Sequence, residues 1–154
     1  MVTGLVDAKI DFVLVGGFAA SAHGSTRVTQ DVDICYNPVP ENTRRLASLL
    51  REWHAYLRGV EPGLPFVIDE RTFRDVPVMT LATDHGWIDV MDRIAGLGDF
   101  IDVCNASEEV AIGDRTLKVL GLAGLFAAKR AAGRPKDRDQ LPELEALLEL
   151  KRKQ

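Results

Sequence analysis

The chain has 154 residues, of which 46% are apolar, and its formal net charge is −4. This length and apolar content suit a single compact domain around one hydrophobic core. We expect one domain over 1–154, with its core at 10–119 and C-terminal helices at 121–151. The acidic balance argues against a broad surface that neutralises the phosphates of nucleic acid.

Cysteine and histidine usage predicts neither a disulfide nor a zinc centre. Cys35 and Cys104 are far apart in the sequence, and the three histidines are scattered. We expect two free thiols in a reducing compartment. No apolar run reaches the length of about 18 residues that a membrane span needs, and the N-terminus does not resemble a secretory signal. These features predict a cytoplasmic protein with no membrane partner.

The hydrophobic pattern of the first 57 residues alternates between helical and strand periodicity. The predicted elements are helical turns within 1–9, a strand over 11–15, a helix over 18–23, a strand over 30–36 and a helix over 41–57. The first strand ends at the pair Gly16-Gly17, which indicates a tight turn before the alanine-rich helix.

Turn residues divide the rest of the chain. Glycines and prolines predict a loop over 58–76, with a short strand or helix around 66–73. The predicted elements beyond it are a hairpin of strands 78–83 and 87–91, a hairpin of strands 109–112 and 115–119, and helices over 121–132 and 141–151. Residues 100–103 give only a weak strand signal. This order predicts an α/β or α+β fold, with a mixed sheet and flanking helices.

Asp31 and Asp33 are placed to bind one cation together. Residues i and i+2 of a strand share a face, so both carboxylates point to one side while Val32 and Ile34 anchor the strand in the core. Two carboxylates so placed repel each other unless a cation lies between them. A hard ion such as Mg²⁺ accepts such oxygens and takes water and phosphate as its other ligands. The alternative is a solvated polar face on an edge strand.

Gly16-Gly17 lies where a strand is expected to meet a helix. Backbone N–H groups at such a junction can receive an anion, and a side chain there would hinder a phosphate. The alternative is a turn that simply needs a positive φ angle. No Gly-Lys-Ser/Thr follows the pair and no Gly-x-Gly-x-x-Gly is present, which excludes a Walker-type loop and a dinucleotide fingerprint.

The combination of strand, Gly-Gly, short helix and Asp-x-Asp on the next strand resembles the nucleotidyltransferase superfamily, the DNA polymerase β-like fold. The matching residues are Val15-Gly16-Gly17 and, after thirteen further residues, Asp31-Val32-Asp33-Ile34. Between them, the run Arg27-x-Thr29-x-Asp31-x-Asp33 is similar to small bacterial members related to AbiEii-type toxin nucleotidyltransferases. The resemblance implies a minimal nucleotidyltransferase fold in which Gly16, Gly17, Arg27 and Thr29 contact the nucleotide.

The same resemblance implies a third carboxylate on a neighbouring strand, and we assign it to Asp89. This residue lies in the middle of a predicted strand between Ile88 and Val90, where an unpaired charge is costly. The competing candidates are at expected turns or strand ends, where solvent explains them: Asp84, Asp92 and Asp102. Asp31, Asp33 and Asp89 would then form the catalytic and metal-binding set.

The run AAKRAAGRPKDRDQLPEL near the C-terminus resembles the later Lys and Asp motifs of the AbiEii-related group. By that match Lys129 faces the nucleotide phosphates, and Asp137 is the later acidic residue, with Asp139 as the alternative. A basic helix end beside Gly133 and a solvated helix start would explain the same residues without any function.

Two functions of different classes follow from these resemblances. The first is a transferase that moves NMP from an NTP to a hydroxyl of a tRNA, a protein or a small molecule, with Mg²⁺ or Mn²⁺ as cofactor. The intact set of three aspartates favours it. The second is an interaction module of the same fold, a component of a toxin–antitoxin system that binds an antitoxin or other partner protein. Gly17 favours the second, because many transferases carry Ser at that position, where its hydroxyl assists the triphosphate.

Overall fold

The computed structural model describes residues 1–61 and 63–154. Its strands are β1 Phe12–Val15, β2 Asp31–Tyr36, β3 Tyr56–Leu57, β4 Val78–Thr83, β5 Gly86–Met91, β6 Arg93–Ile94, β7 Gly98–Asp99, β8 Ser107–Ile112 and β9 Arg115–Leu120. Its helices are α1 Val2–Asp7, α2 Gly16–Ala22, α3 Pro40–Glu52, α4 Glu70–Asp75, α5 Phe100–Asn105, α6 Leu122–Ala132 and α7 Pro135–Arg152. Pro62, within the predicted loop 58–76, lies outside the described residues.

The main sheet is mixed and has seven strands in the order β3-β4-β5-β2-β1-β9-β8. Strand β2 pairs antiparallel with β1 and parallel with β5, and β1 pairs parallel with β9. The remaining neighbours, β3 with β4, β4 with β5 and β8 with β9, form antiparallel pairs. The predicted mixed sheet with flanking and C-terminal helices is therefore confirmed. The short strands β6 and β7 form a separate two-stranded ribbon.

The central strands bury one set of alternate residues and leave the other set at the site. On β2 and β5 the alternate positions Val32, Ile34, Ile88 and Val90 are all at most 5% exposed, and at the end of β2 Cys35 and Tyr36 are buried as well. They join one hydrophobic cluster that also contains residues of α3 and of the other strands. Because side chains alternate along a strand, the aspartates of β2 and β5 point away from this cluster.

Helix α3 is shorter than its periodicity predicts. The apolar spacing continues to Leu57, yet the helix ends at Glu52, and His54 takes a positive φ of 54°. The chain then forms the edge strand β3, in which Leu57 is the register partner of Leu81. Pairing with β4 overrides the helical pattern here, because the same apolar side chains can be buried in either conformation.

Two other helices also differ from the sequence expectation. Helix α7 begins at Pro135 rather than at 141, with Pro135 in its first turn and Asp137 bonded back to the N-cap residue. Residues 100–103 belong to helix α5, which starts at a reciprocal cap between Asp99 and Asp102. A helix as short as α5, and the first turn of the long helix α7, depend on caps more than on hydrophobic period, which explains why the period did not reveal them.

Among the helices of the described residues, none is both long enough and apolar enough to cross a bilayer.

We expect Ile88→Ala to destabilise the protein strongly, because Ile88 is fully buried behind the candidate site. Loss of the buried methyl groups and the remaining cavity should lower the free energy of unfolding by about 2–5 kcal/mol. The matched control is Ile101→Ala, since Ile101 is 67% exposed; it should change stability by about 0.5 kcal/mol or less. Urea titration followed by circular dichroism measures both, and equal losses would contradict the assigned core.

Candidate functional site

Asp31, Asp33 and Asp89 lie on one face of the sheet, on the two central strands β2 and β5. Asp33 is the register partner of Asp89, and Asp31 that of Trp87. In a parallel pair, partners in register project to the same face, as do residues two apart on one strand. The sheet therefore brings together three carboxylates that are up to 58 positions apart in the chain.

In this acidic cluster, the environment of Asp33 and Asp89 raises the pKa of both carboxyls when no cation is bound. Burial, followed by the negative charge of Asp89, raises the pKa of Asp33 to about 7. Burial also raises the pKa of Asp89, whose carboxyl hydrogen-bonds with that of Asp33. The two facing groups can relieve their repulsion by holding a proton or by binding a cation.

Arg58 bridges the cluster, although sequence reasoning did not single it out. Its Nη1 donates to Asp31 Oδ2 at 3.0 Å, and its Nη2 donates to Asp89 Oδ1 at 3.3 Å. The guanidinium carbon also lies 5.0 Å from the centre of the Trp87 ring. Arg58 follows an edge strand inside a segment without periodicity, so no sequence signal pointed to it.

The two glycines are packed against site residues. Gly16 starts α2 with a φ of +66°, and a Cβ added to it would collide with the Asp33 carboxylate. A Cβ added to Gly17 would lie 2.7 Å from Thr29 Oγ1 and 2.8 Å from Thr29 Cβ. The close approach of Asp33 and Thr29 therefore explains why this turn has no side chains.

Lys129 and Arg134 are held by the buried Asp137. Lys129 Nζ is 3.2 Å from Asp137 Oδ1, and Arg134 Nε is 2.6 Å from Asp137 Oδ2. Burial alone would raise the pKa of Asp137, but Arg134 and Lys129 hold it below its usual value. The Asp137 side chain is fully buried. Its predicted nucleotide contact can therefore only be indirect here, through the two cations that it orients.

The electrostatic field of these cations reaches the acidic cluster. The Lys129 charge opposes the burial that raises the pKa of Asp33. The pKa of Arg134 is raised mainly by its hydrogen bond to Asp137 and further by the charges of Asp33 and Asp89. The turn between α6 and α7 thus presents positive charge to Asp33 and Asp89. Sequence reasoning had singled out Lys129 as a site residue but not Arg134.

Arg27 and Thr29 have partners within the protein. Arg27 donates from Nη2 to the carbonyl oxygen of Asp139 at 2.8 Å and from Nε to Glu143 Oε2 at 3.3 Å. Its side chain is therefore tied to helix α7 and would have to change partners to reach a nucleotide. Thr29 lies over Gly17, and its Oγ1 donates a long bond of 3.4 Å to the Asp31 carbonyl oxygen.

The competing aspartates have local partners away from the acidic cluster. Asp84 contacts His54, Asp92 pairs with Arg93, and Asp102 accepts from the backbone N–H of Asp99. The register of β2 and β5 instead places Asp89 beside Asp33. The geometry thus separates Asp89 from the alternatives that the sequence left open.

The donor chemistry of the cluster fits a hard divalent cation, because carboxylate oxygens are the ligands that Mg²⁺ and Mn²⁺ prefer. Within the described part of the chain, no three acidic, histidine or cysteine side chains are already gathered as metal ligands. Asp31 and Asp89 are turned toward Arg58 instead. Asp31, Asp33 and Asp89 could hold a metal ion if Arg58 gave up these two oxygens.

The order of the sheet and the comparison with solved structures define a nucleotidyltransferase-like fold. The chain matches a crystal structure from Thermotoga maritima that is described as a "putative nucleotidyltransferase". The match covers 92% of this chain and 85% of the other, with a TM-score of 0.56 and 17% sequence identity. At this identity the likeness shows the fold alone. No family model and no curated protein matches the sequence, so the relation to AbiEii-type toxins stays a prediction.

We expect Gly16→Ala to destabilise the protein more than Gly113→Ala. Both glycines have a φ near +60°, so both variants carry similar backbone strain. A Cβ at 16 also meets the Asp33 carboxylate, whereas a Cβ at 113 has no atom within 4 Å. Thermal unfolding should show a loss of about 1 kcal/mol for Gly113→Ala and a clearly larger loss for Gly16→Ala. Equal losses would show that Asp33 does not pack against this turn.

We expect Asp33→Asn to stabilise the metal-free protein at pH 8 but not at pH 4. The folded-state pKa of about 7 lies above the ordinary value of 3.8, so wild-type stability falls as the pH rises between these values. Asn carries no charge to bury, so its midpoint at pH 8 should be about 2–8 °C higher, corresponding to about 1–2 kcal/mol. Differential scanning calorimetry with a chelator measures this. The exposed Asp75→Asn is the control, and an equal response of both variants would contradict the prediction.

Proposed function

We propose that the protein is a metal-dependent nucleotidyltransferase that moves NMP from an NTP to a hydroxyl of a tRNA, a protein or a small molecule. One observation supports this most: three carboxylates converge on one sheet face, and the charges of Lys129 and Arg134 act on this cluster. Carboxylates suit the cation of a metal–nucleotide complex, and basic side chains suit its phosphates. The nucleotidyltransferase-like fold agrees with the same reaction but does not identify a substrate.

In this proposal Asp31, Asp33 and Asp89 hold Mg²⁺ or Mn²⁺. Bound divalent ions supply Lewis-acid stabilisation of the attacking and leaving oxygens. Asp89, on the β5 side of the pair, accepts the proton of the acceptor hydroxyl. The hydroxyl oxygen attacks the α-phosphorus, and the bond from that phosphorus to the bridging oxygen breaks with release of pyrophosphate.

The other residues of the site take binding roles. Lys129 and Arg134 neutralise the phosphates, and Asp137 keeps both cations oriented. The backbone N–H groups of Gly16 and Gly17, at the start of α2, receive the phosphate chain. Arg27 and Thr29 are proposed to contact the nucleotide as well. For this, Arg27 has to break its ion pair with Glu143.

A second candidate is a domain of this fold that binds a partner, such as an antitoxin, with little or no catalysis. The ion pairs of Arg58 with Asp31 and Asp89 favour it, because they neutralise part of the cluster without any metal. Contacts around Gly17 also favour it, since Thr29 fills the space that a serine side chain would need. Under this reading the toxin–antitoxin role remains while nucleotide transfer does not.

We expect calorimetry to detect Mg²⁺-dependent binding of at least one of the four NTPs to the wild type. Asp31→Ala/Asp33→Ala should abolish that binding, because the metal loses two of its three carboxylates. The matched control is Asp75→Ala/Asp114→Ala, which removes two exposed carboxylates away from the cluster and should bind as the wild type does. Equal binding by the site variant and the wild type would overturn the proposed function.

The position of a radiolabel on the NTP separates the two candidates. Transfer of NMP should label a tRNA, protein or metabolite fraction from the α-phosphate and not from the γ-phosphate. Metal-dependent NTP binding without α-label transfer would favour the binding module. Transfer from the γ-phosphate would contradict nucleotidyl transfer and indicate a kinase-type reaction.

A further inference from the structure

The guanidinium of Arg58 occupies the space between two of the proposed metal ligands. Its two ion pairs measure 3.0 Å to Asp31 and 3.3 Å to Asp89. All three side chains are partly shielded from solvent, with exposed fractions of 26%, 31% and 19% for Arg58, Asp31 and Asp89. Partly buried pairs of this kind interact more strongly than ion pairs at an open surface.

The protein itself directs Arg58 to this position. The Arg58 N–H donates to the Thr80 carbonyl oxygen at 3.0 Å, which fixes the backbone beside β4. The side chain then passes the indole of Trp87, which is 42% exposed and on the same sheet face as the cluster. Cation–π contact and backbone pairing both hold the guanidinium near the carboxylates without a metal.

A divalent ion and this guanidinium compete for the same oxygens. The ion needs carboxylate oxygens of Asp31 and Asp89, and Arg58 now donates to Asp31 Oδ2 and Asp89 Oδ1. Both cations neutralise the same charge, and side by side they would repel each other. Metal binding therefore requires Arg58 to give up at least part of its pairing.

A displaced guanidinium remains within reach of the site, because its backbone stays paired with Thr80. There it would lie beside a divalent cation, so it needs an anionic partner to offset the repulsion. The nucleotide that accompanies the metal carries such groups, and the planar guanidinium suits two phosphate oxygens at once. The metal–nucleotide complex supplies both the cation that displaces Arg58 and the anion that receives it.

We propose that Arg58 exchanges the carboxylates of Asp31 and Asp89 for phosphate oxygens of the metal–nucleotide complex. Arg58 consequently weakens the binding of a free metal ion and strengthens the binding of metal with nucleotide. This inference rests on the proposed function, since it assumes that the acidic cluster binds a divalent ion. It adds a phosphate-binding residue that selects the metal–nucleotide complex over the free ion.

The test measures two affinities of Arg58→Gln with different probes. Electron paramagnetic resonance of Mn²⁺ without nucleotide should show about tenfold tighter binding than in the wild type, since a tenfold change is about 1.4 kcal/mol and two partly buried pairs are removed. Calorimetry with each of the four NTPs in saturating Mn²⁺ should show about tenfold weaker binding, through loss of a phosphate contact. A structural role alone would not move the two affinities in opposite directions.

Two controls accompany this variant. Arg45→Gln removes one exposed arginine, which pairs with Glu41 on α3, and should leave both affinities unchanged. Arg58→Lys keeps the positive charge but loses the planar fork, so its Mn²⁺ affinity should stay near that of the wild type. Circular dichroism establishes that each variant is folded before its affinities are compared.

The outcomes separate this inference from the proposed function. Unchanged or weaker Mn²⁺ binding by Arg58→Gln, with clear binding by the wild type, overturns the exchange and leaves the nucleotidyltransferase proposal standing. Tighter Mn²⁺ binding with unchanged or tighter nucleotide binding also overturns it, because Arg58 would then compete without receiving a phosphate. If neither protein binds Mn²⁺, with or without nucleotide, both proposals fail.

Discussion

Mutual repulsion among Asp31, Asp33 and Asp89 is the constraint around which the surrounding structure is arranged. The parallel pairing of β2 with β5 places Asp33 directly beside Asp89. Positive charge acts on the cluster from two directions: Arg58 pairs with Asp31 and Asp89, and the charges of Lys129 and Arg134 act on Asp33 from the C-terminal helices. The interaction of unlike charges therefore defines the site.

The strands that carry this charge are stabilised from their other face. Val32, Ile34, Ile88 and Val90 are almost fully buried, and they alternate with the aspartates. Because side chains alternate along a strand, the same strands bury apolar residues on one face and present carboxylates on the other. A site that is electrostatically unfavourable without ligands can persist because the apolar face supplies the stabilising free energy.

The sequence predicted those features that depend on local pattern. Alternation over 30–36 and the hairpin signal at 84–86 identified the strands that carry Asp31, Asp33 and Asp89, and the turn at Gly16-Gly17 identified where α2 begins. The end of α3 depends instead on pairing between β3 and β4, which a window of helical spacing cannot detect. Arg58 reaches the cluster only through that pairing, and the fully buried Asp137 depends on how α6 meets α7. Such long-range contacts leave no periodic trace in the sequence.

The crossover between β2 and β5 affects the order in which the charged residues come together during folding. Asp33 and Asp89 are adjacent in space but separated by α3, β3, α4 and β4, and Lys129 with Arg134 follows only after β9. Contacts of such large sequence separation form late, because the chain between them must first be ordered. During synthesis the elements up to β5 can therefore collapse into strands and helices before α6 and α7, which carry Lys129 and lead to Arg134, bring their positive charges to the cluster.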